Sequence, residues 1–184
     1  MKYVCILFGM LILGAGCVTQ TPVPLAPPYA KVTTSSMQLT SSAFKHEGII
    51  PALYTCDGTH TSPPLSIAHV PDETKSLALI MDDPDAIKPA GKVWDHWLVW
   101  NIDPTTVHIQ EGEEPVGTHG AGTGGETIYH GPCPPDGPHR YSFRLYALDT
   151  VLDLPSGSTK SDLEQAMDGH IIAQTELVGM YSRT

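Results

Sequence analysis

Ser76 to Asp82 (SLALIMD) is apolar at successive positions, the pattern of a strand buried on both faces. Lys92 to Ile102 (KVWDHWLVWNI) reads the same way from Trp97 onward, so two central strands are expected here. His139 to Leu148 (HRYSFRLYAL) alternates instead: His139, Tyr141, Phe143, Leu145 and Ala147 fall on one face, and Arg140, Ser142, Arg144 and Tyr146 fall on a wetter one. The tail His170 to Ser182 is rich in β-branched and apolar residues and is expected to return to the sheet. One helix is predicted, opening at Ser161 with Glu164 three residues on, carried by a stripe of Leu163, Ala166 and Met167, and stopping at Gly169. Between Glu111 and Pro138 lie eight Gly and five Pro, which excludes regular structure and marks a long ordered loop of the functional kind.

Composition narrows the class. With 17 Gly and 17 Pro in 184 residues, few windows could hold a long amphipathic helix, and an all-helical fold is set aside. Ten Lys plus Arg stand against 20 Asp plus Glu, a net charge of −10 with no basic run, which argues against nucleic-acid binding.

The N-terminus reads as an address. Lys2 precedes an uncharged apolar run, Val4 to Gly16, too short for a permanent membrane span and ending in small residues. Residues 1–16 are therefore expected to be a signal peptide. The ending Leu13-Gly14-Ala15-Gly16-Cys17 resembles a bacterial lipoprotein signal, in which the Cys becomes the lipidated first residue, here with Gly14 where an aliphatic residue is usual. Ordinary secretion, with cleavage near Ala15 or Gly16, is the alternative. Both place the protein outside the cytoplasm, anchored in the bacterial cell envelope in the first case and secreted or periplasmic in the second. Residues 17–36 hold Pro22, Pro24, Pro27 and Pro28 and read as an extended tether, with the folded domain over 37–184. Once Cys5 and Cys17 are accounted for, Cys56 and Cys133 remain. In an oxidising compartment they are expected to pair, two buried free thiols being the alternative. Neither belongs to a Cys-x-x-Cys or close Cys/His cluster, so no metal is expected.

Three constellations could carry chemistry. Asp82-Asp83-Pro84-Asp85-Ala86 ends a buried strand in a tight turn, where one carboxylate can face a site while another ties down the backbone. In Trp94-Asp95-His96-Trp97, Asp95 and His96 face opposite ways on a strand, so His96 needs a partner elsewhere. Tyr129 to Tyr141 (YHGPCPPDGPHRY) is a Gly/Pro loop delivering a His and a Tyr at the mouth of a strand, able to form a small anion site. No phosphate-binding loop or dinucleotide fingerprint is present, and no cofactor is expected. His46, His60, His69, His108, His119 and His170 are scattered and read as surface or structural, with His130 left open.

Taken in order, Asp83-Pro84-Asp85-Ala86, Trp94-x-His96 and Gly131-Pro132-Cys133-Pro134-Pro135 leading to His139-Arg140-Tyr141 resemble the bacterial branch of the phosphatidylethanolamine-binding protein family, also called the Raf kinase inhibitor protein family. Tyr54-Thr55-Cys56-Asp57-Gly58, Ser62-Pro63-Pro64-Leu65 and Glu176-Leu177-Val178-Gly179-Met180-Tyr181 fit the same branch. The resemblance implies a mainly β fold, with a large central antiparallel sheet packed against a smaller sheet and one or two short helices. It also implies an anion pocket at one end of the sheet. Asp83 and His96 would form the wall, Pro134 and the Cys133 backbone the floor, and His139 with Tyr141 would close it. Asp85 and Arg140 would hold two loops in place. Eukaryotic members often carry Gly at the position of Cys133 and a second His at that of Asp95.

The leading expectation is a lipid-anchored extracytoplasmic binding protein for a small anion, either a phosphate or phospholipid head group or a carboxylate. Imidazole donors near ~pH 6.5 would make its occupancy rise as pH falls through that region. The alternative is a protein-interaction or inhibitor module of the kind that restrains kinases or proteases. A third reading, hydrolysis with Asp83, His96 and His139 as acid/base groups, lacks a nucleophile elbow, and an enzyme is not expected.

Overall fold

The apolar runs become the long strands of a single sheet. The computed structural model describes residues 37–183, so the expected leader (1–16), the acylated Cys17 and the tether (17–36) lie outside the described residues. In chain order the strands are β1 (Gln38–Thr40), β2 (Gly48–Ile49), β3 (Leu65–Ala68), β4 (Ser76–Asp83), β5 (Trp94–Ile102), β6 (His108–Ile109), β7 (Thr118–His119), β8 (His139–Leu148) and β9 (Ile171–Tyr181). The helices are α1 (Ile87–Ala90) and α2 (Lys160–Met167). The large sheet runs β2-β9-β8-β4-β5-β7 and the small one β1-β3-β6. All pairs are antiparallel except the two-residue contact of β2 with β9.

Strand β4 is buried at all eight positions because it feeds two cores. Leu77, Leu79 and Met81 pack toward the small sheet with Leu39, Ile67, Trp97, Phe143 and Leu145. Ala78 and Ile80 face the other way, into a core with Leu98, Trp100, Leu163 and Met167. Burial on both faces is why a continuous apolar run, not an alternating one, marks this strand. Strand β8 was expected to keep a wetter face. That face is drier than expected, since Tyr146 and Leu148 lie in the core completed by α2 and only Arg140 is fully exposed.

The predicted helix is present, but its cap is Thr159 and not Ser161. Thr159 and Asp162 cap each other, the Thr159 hydroxyl accepting from the Asp162 amide and the Asp162 carboxylate from the Thr159 amide. Both starts offer a hydroxyl with an acid three residues on, and burial of Leu163 and Met167 selects the earlier one. Helix α1 fits the one or two short helices that the resemblance implies, although no periodic pattern marks its position. It is one turn, with Pro89 in its third position, and it ends at Gly91 with φ 74°.

The junction of β2 and β9 places Gly48 opposite Gly179. A Cβ on Gly179 would stand 2.5 Å from Cγ1 and 2.6 Å from Cδ1 of the fully buried Ile50, and 2.9 Å from a Phe44 ring carbon. Gly179→Ala is therefore expected to destabilise the protein by about 1–3 kcal/mol through overpacking. A urea midpoint shift at constant m-value would measure it.

Candidate functional site

Asp82 and Asp83 are neighbours on β4 and so point to opposite faces. Asp82 lies under α2, paired with Arg144 and Lys160. Asp83 faces the other way. Its Oδ1 accepts from the amides of Asp85 (2.9 Å) and Ala86 (3.1 Å), capping the turn that leaves the strand. Its Oδ2 lies 2.7 Å from Nδ1 of His139, across the β4–β8 pair. One carboxylate thus does both jobs that the sequence offered to two. Asp85 and Arg140 form a bidentate pair at 2.9 and 2.7 Å, reinforced by the Arg140 amide, which joins the turn to the start of β8. The Arg140 hydrogen bonds hold the Asp85 carboxyl down at about 2.

His96 reaches this face through an irregularity in β5. Met81 pairs with Trp97 and Asp82 with Asp95, which leaves His96 as an extra residue in the ladder. Such a bulge re-aims the chain. Asp95 stays on the α2 side, 3.5 Å from Lys160 Nζ, while the His96 ring sits 5.3 Å from that of Tyr141. The His96 Nδ1–H donates to the His130 carbonyl at 2.7 Å, since that oxygen can only accept. Its Nε2 is consequently a bare acceptor, and burial pushes its pKa down to about 4.

His139 is the charged centre of the group. Its Nε2 lies 2.9 Å from Asp136 Oδ1, so both ring nitrogens face carboxylate oxygens and both donate. Burial alone would lower its pKa, but the hydrogen bonds it donates to Asp83 and Asp136 outweigh that and hold it above the ordinary imidazole value. Tyr141 follows on the same face of β8, fully buried, its hydroxyl close to the Asp83 carboxylate and the Cys133 amide without a well-formed hydrogen bond to either. Burial, with the Asp83 charge, raises its pKa.

These groups line one cavity of about 240 Å³. Asp83, His96, His139, Tyr141 and Cys133 all border it. Pro134 does not: it is buried behind the loop, and the next residue, Pro135, lines the wall in its place. Sequence reading missed Asp136, although an acid three residues before His139 on a Pro/Gly turn was a visible signal. It also missed the apolar side formed by Ala86, Pro89, Ala90 and Trp94, because a one-turn helix leaves no periodic trace. His130, left open, is part of the wall and stacks near both His60 and His96, with ring centroids 4.8 and 6.0 Å away. His60, read as surface or structural, takes a structural part: its Nδ1 accepts from the Gly131 amide at 3.1 Å.

Cys56 and Cys133 form a disulfide, with Cα atoms 5.4 Å apart. It pins the pocket loop to the 52–60 segment, where the Cys56 amide also donates to the Pro132 carbonyl. Among the described residues, no cluster of three or more His, Cys, Asp or Glu side chains is set to hold a metal ion, and no helix is long and apolar enough to cross a membrane. The expected pH response must be redrawn. His96 is shifted down and His139 up, so neither changes charge at the ordinary imidazole value of ~6.5.

A sequence model of the family described as phosphatidylethanolamine-binding protein matches residues 40–182. A UPF0098 protein of Methanothermobacter thermautotrophicus is 51% identical over 153 residues, covering 80% of this chain and 99% of its own. A crystal structure of a phosphatidylethanolamine-binding protein homologue from Chlamydia trachomatis superposes with a TM-score of 0.77 at 48% identity, over 82% of this chain and 99% of that one. Escherichia coli YbcL, described as a member of the mammalian family, gives 0.74 at 31% identity over 80% of this chain and 99% of its own.

Proposed function

The chain belongs to the phosphatidylethanolamine-binding protein family, and from that premise we propose that it is an extracytoplasmic binding protein for a small anion. In this reading Cys17 is acylated and holds the domain at the bacterial cell envelope, and the pocket takes the phosphate of a ligand such as a phospholipid head group. The observation that carries the reading is His139. Its side chain is only 6% exposed, it donates from both nitrogens, and it borders the cavity, so it brings a buried cationic donor to a small site. A desolvated charge-assisted hydrogen bond of that kind suits a phosphate or carboxylate oxygen. Asp83 fixes the ring from behind, which orients Nε2 without filling the cavity. The Tyr141 hydroxyl supplies a second donor that no protein group among the described residues uses fully.

The test is a two-dimensional NMR titration of the purified protein with phosphoethanolamine. Saturable shifts are expected at Asp83, His96, Cys133 and Tyr141, with affinity that holds at acid pH and falls as pH rises through the elevated pKa of His139. His96 adds no charge in that window, because its own value lies near 4. Absence of any shift at millimolar ligand would sink the anion reading and give precedence to a protein partner. The exposed Ile87 on α1, beside the Ala86, Pro89 and Ala90 wall, is the first place to look for one.

A further inference from the structure

Asp136 stands apart from the other polar groups of the cavity. It projects from the turn Pro134-Pro135-Asp136-Gly137-Pro138, its side chain is 37% exposed, and its one hydrogen bond among the described residues is the 2.9 Å contact to His139 Nε2. Asp83, by contrast, is locked by two backbone amides as well as by the ring. The geometry points to Asp136 as a self-ligand, whose carboxylate occupies on His139 the place of an incoming anion's oxygen and thereby sets a threshold that a phosphate monoester passes and a simple carboxylate does not. The inference rests on the anion reading above and deepens it.

The threshold follows from exchange. A monoanionic carboxylate that displaces Asp136 replaces one carboxylate with another. The tethered group competes at an effective concentration that is roughly millimolar or higher, so the free one gains little. A phosphate monoester carries roughly two negative charges and three acceptor oxygens. It can bond Nε2 and still present oxygens to the Tyr141 hydroxyl, which is buried without a well-formed partner, and to the Cys133 amide beside it. Charge runs the same way. With Asp136 in place the His139 cation is flanked by two carboxylates; once Asp136 swings into solvent, the neutral Asp83–His139 pair meets the dianion. A purely bracing role for the contact makes the opposite forecast, since removing a brace would loosen the loop and weaken binding.

The experiment is isothermal titration of the wild-type protein, Asp136→Ala and Asp136→Asn with inorganic phosphate, phosphoethanolamine and acetate, the amide spectra of β8 serving as the folding check. Both variants are expected to bind phosphate about tenfold more tightly, the worth of one partly exposed charge-assisted contact. Acetate should gain by the same factor and so become detectable, because a self-ligand lowers the apparent affinity of every competing anion equally. Phosphoethanolamine should follow phosphate, and its affinity relative to the inorganic ion separates a lipid head group from free phosphate as the natural source. If the wild type binds phosphate and the folded variants bind it equally or more weakly, the self-ligand role is wrong while the pocket reading stands. If none of the three proteins binds phosphate, the pocket reading fails and takes this inference with it.

Discussion

Asp83→Ala is expected to cost about 3–5 kcal/mol of stability, the range found when one partner of a buried ion pair is removed and the other stays behind. Two losses add up. The Nδ1–H of buried His139 loses its acceptor, and the amides of Asp85 and Ala86 lose the oxygen that caps their turn. Asp83→Asn keeps an oxygen for the turn but not the charge, so it should fall between wild type and alanine. The difference between wild type and Asp83→Asn carries a pH signature. A histidine whose folded pKa is raised contributes stability that is fully present below its unfolded value and is lost as pH rises through the folded one. The gap between the two proteins should therefore be widest at acid pH, below ~6.5, and close at alkaline pH. Urea unfolding across a pH series measures it, and a gap that widens with rising pH would show that the Asp83–His139 contact is not an ion pair. Phosphate binding should weaken in Asp83→Ala, because the ring left behind loses one of its two carboxylates and the group that orients it.

The second large effect concerns the disulfide. Cys56 and Cys133 are 77 residues apart in sequence, and the chain-entropy treatment gives about 4.5 kcal/mol for closing a loop of that size. A Cys56→Ser, Cys133→Ser double variant, or the wild type under reductant, should lose several kcal/mol in denaturant titration. The loss should be uneven. Cys133 borders the cavity, so the loop from Gly131 to Pro138 should gain hydrogen-exchange rates first, ahead of β4 and β8. Equal midpoints for oxidised and reduced protein would mean that the contacts of Cys56 with Pro132 and of Gly131 with His60 suffice to hold the loop.

The long strands were legible because burial on two faces leaves a continuous apolar run, as in Leu77 to Met81, and because β8 carries polar side chains at alternate positions even though α2 covers much of that face. Strands β1, β2, β3, β6 and β7 span two to four residues, too few for any period to show. The residue types of the site were legible too: Asp83, His96, His139 and Tyr141 do meet around one cavity. Their working arrangement was not. The bulge that turns His96 toward Tyr141 depends on the offset between two strands, which a single strand's sequence does not carry. The clamp on His139 depends on the path of a loop with three prolines, and that path decided that Pro135 and not Pro134 meets the cavity. Expecting both imidazoles to titrate at the ordinary value followed from treating them as free. Burial and carboxylate contacts separate them in opposite directions.

The long Gly/Pro loop does more than frame the cavity. The stretch, expected to hold no regular structure, supplies the two-residue strand β7, and beyond it meets three further carbonyls of β5: the Gly120 amide donates to Leu98, that of Thr123 to Asp95, and that of His130 to His96. A strand in that position with bare amides and carbonyls would be a template for pairing with other chains. Loops usually tolerate insertion and deletion freely. This one is constrained along its length, because shortening it would uncover the edge of the sheet and invite aggregation even where every residue at the cavity was kept.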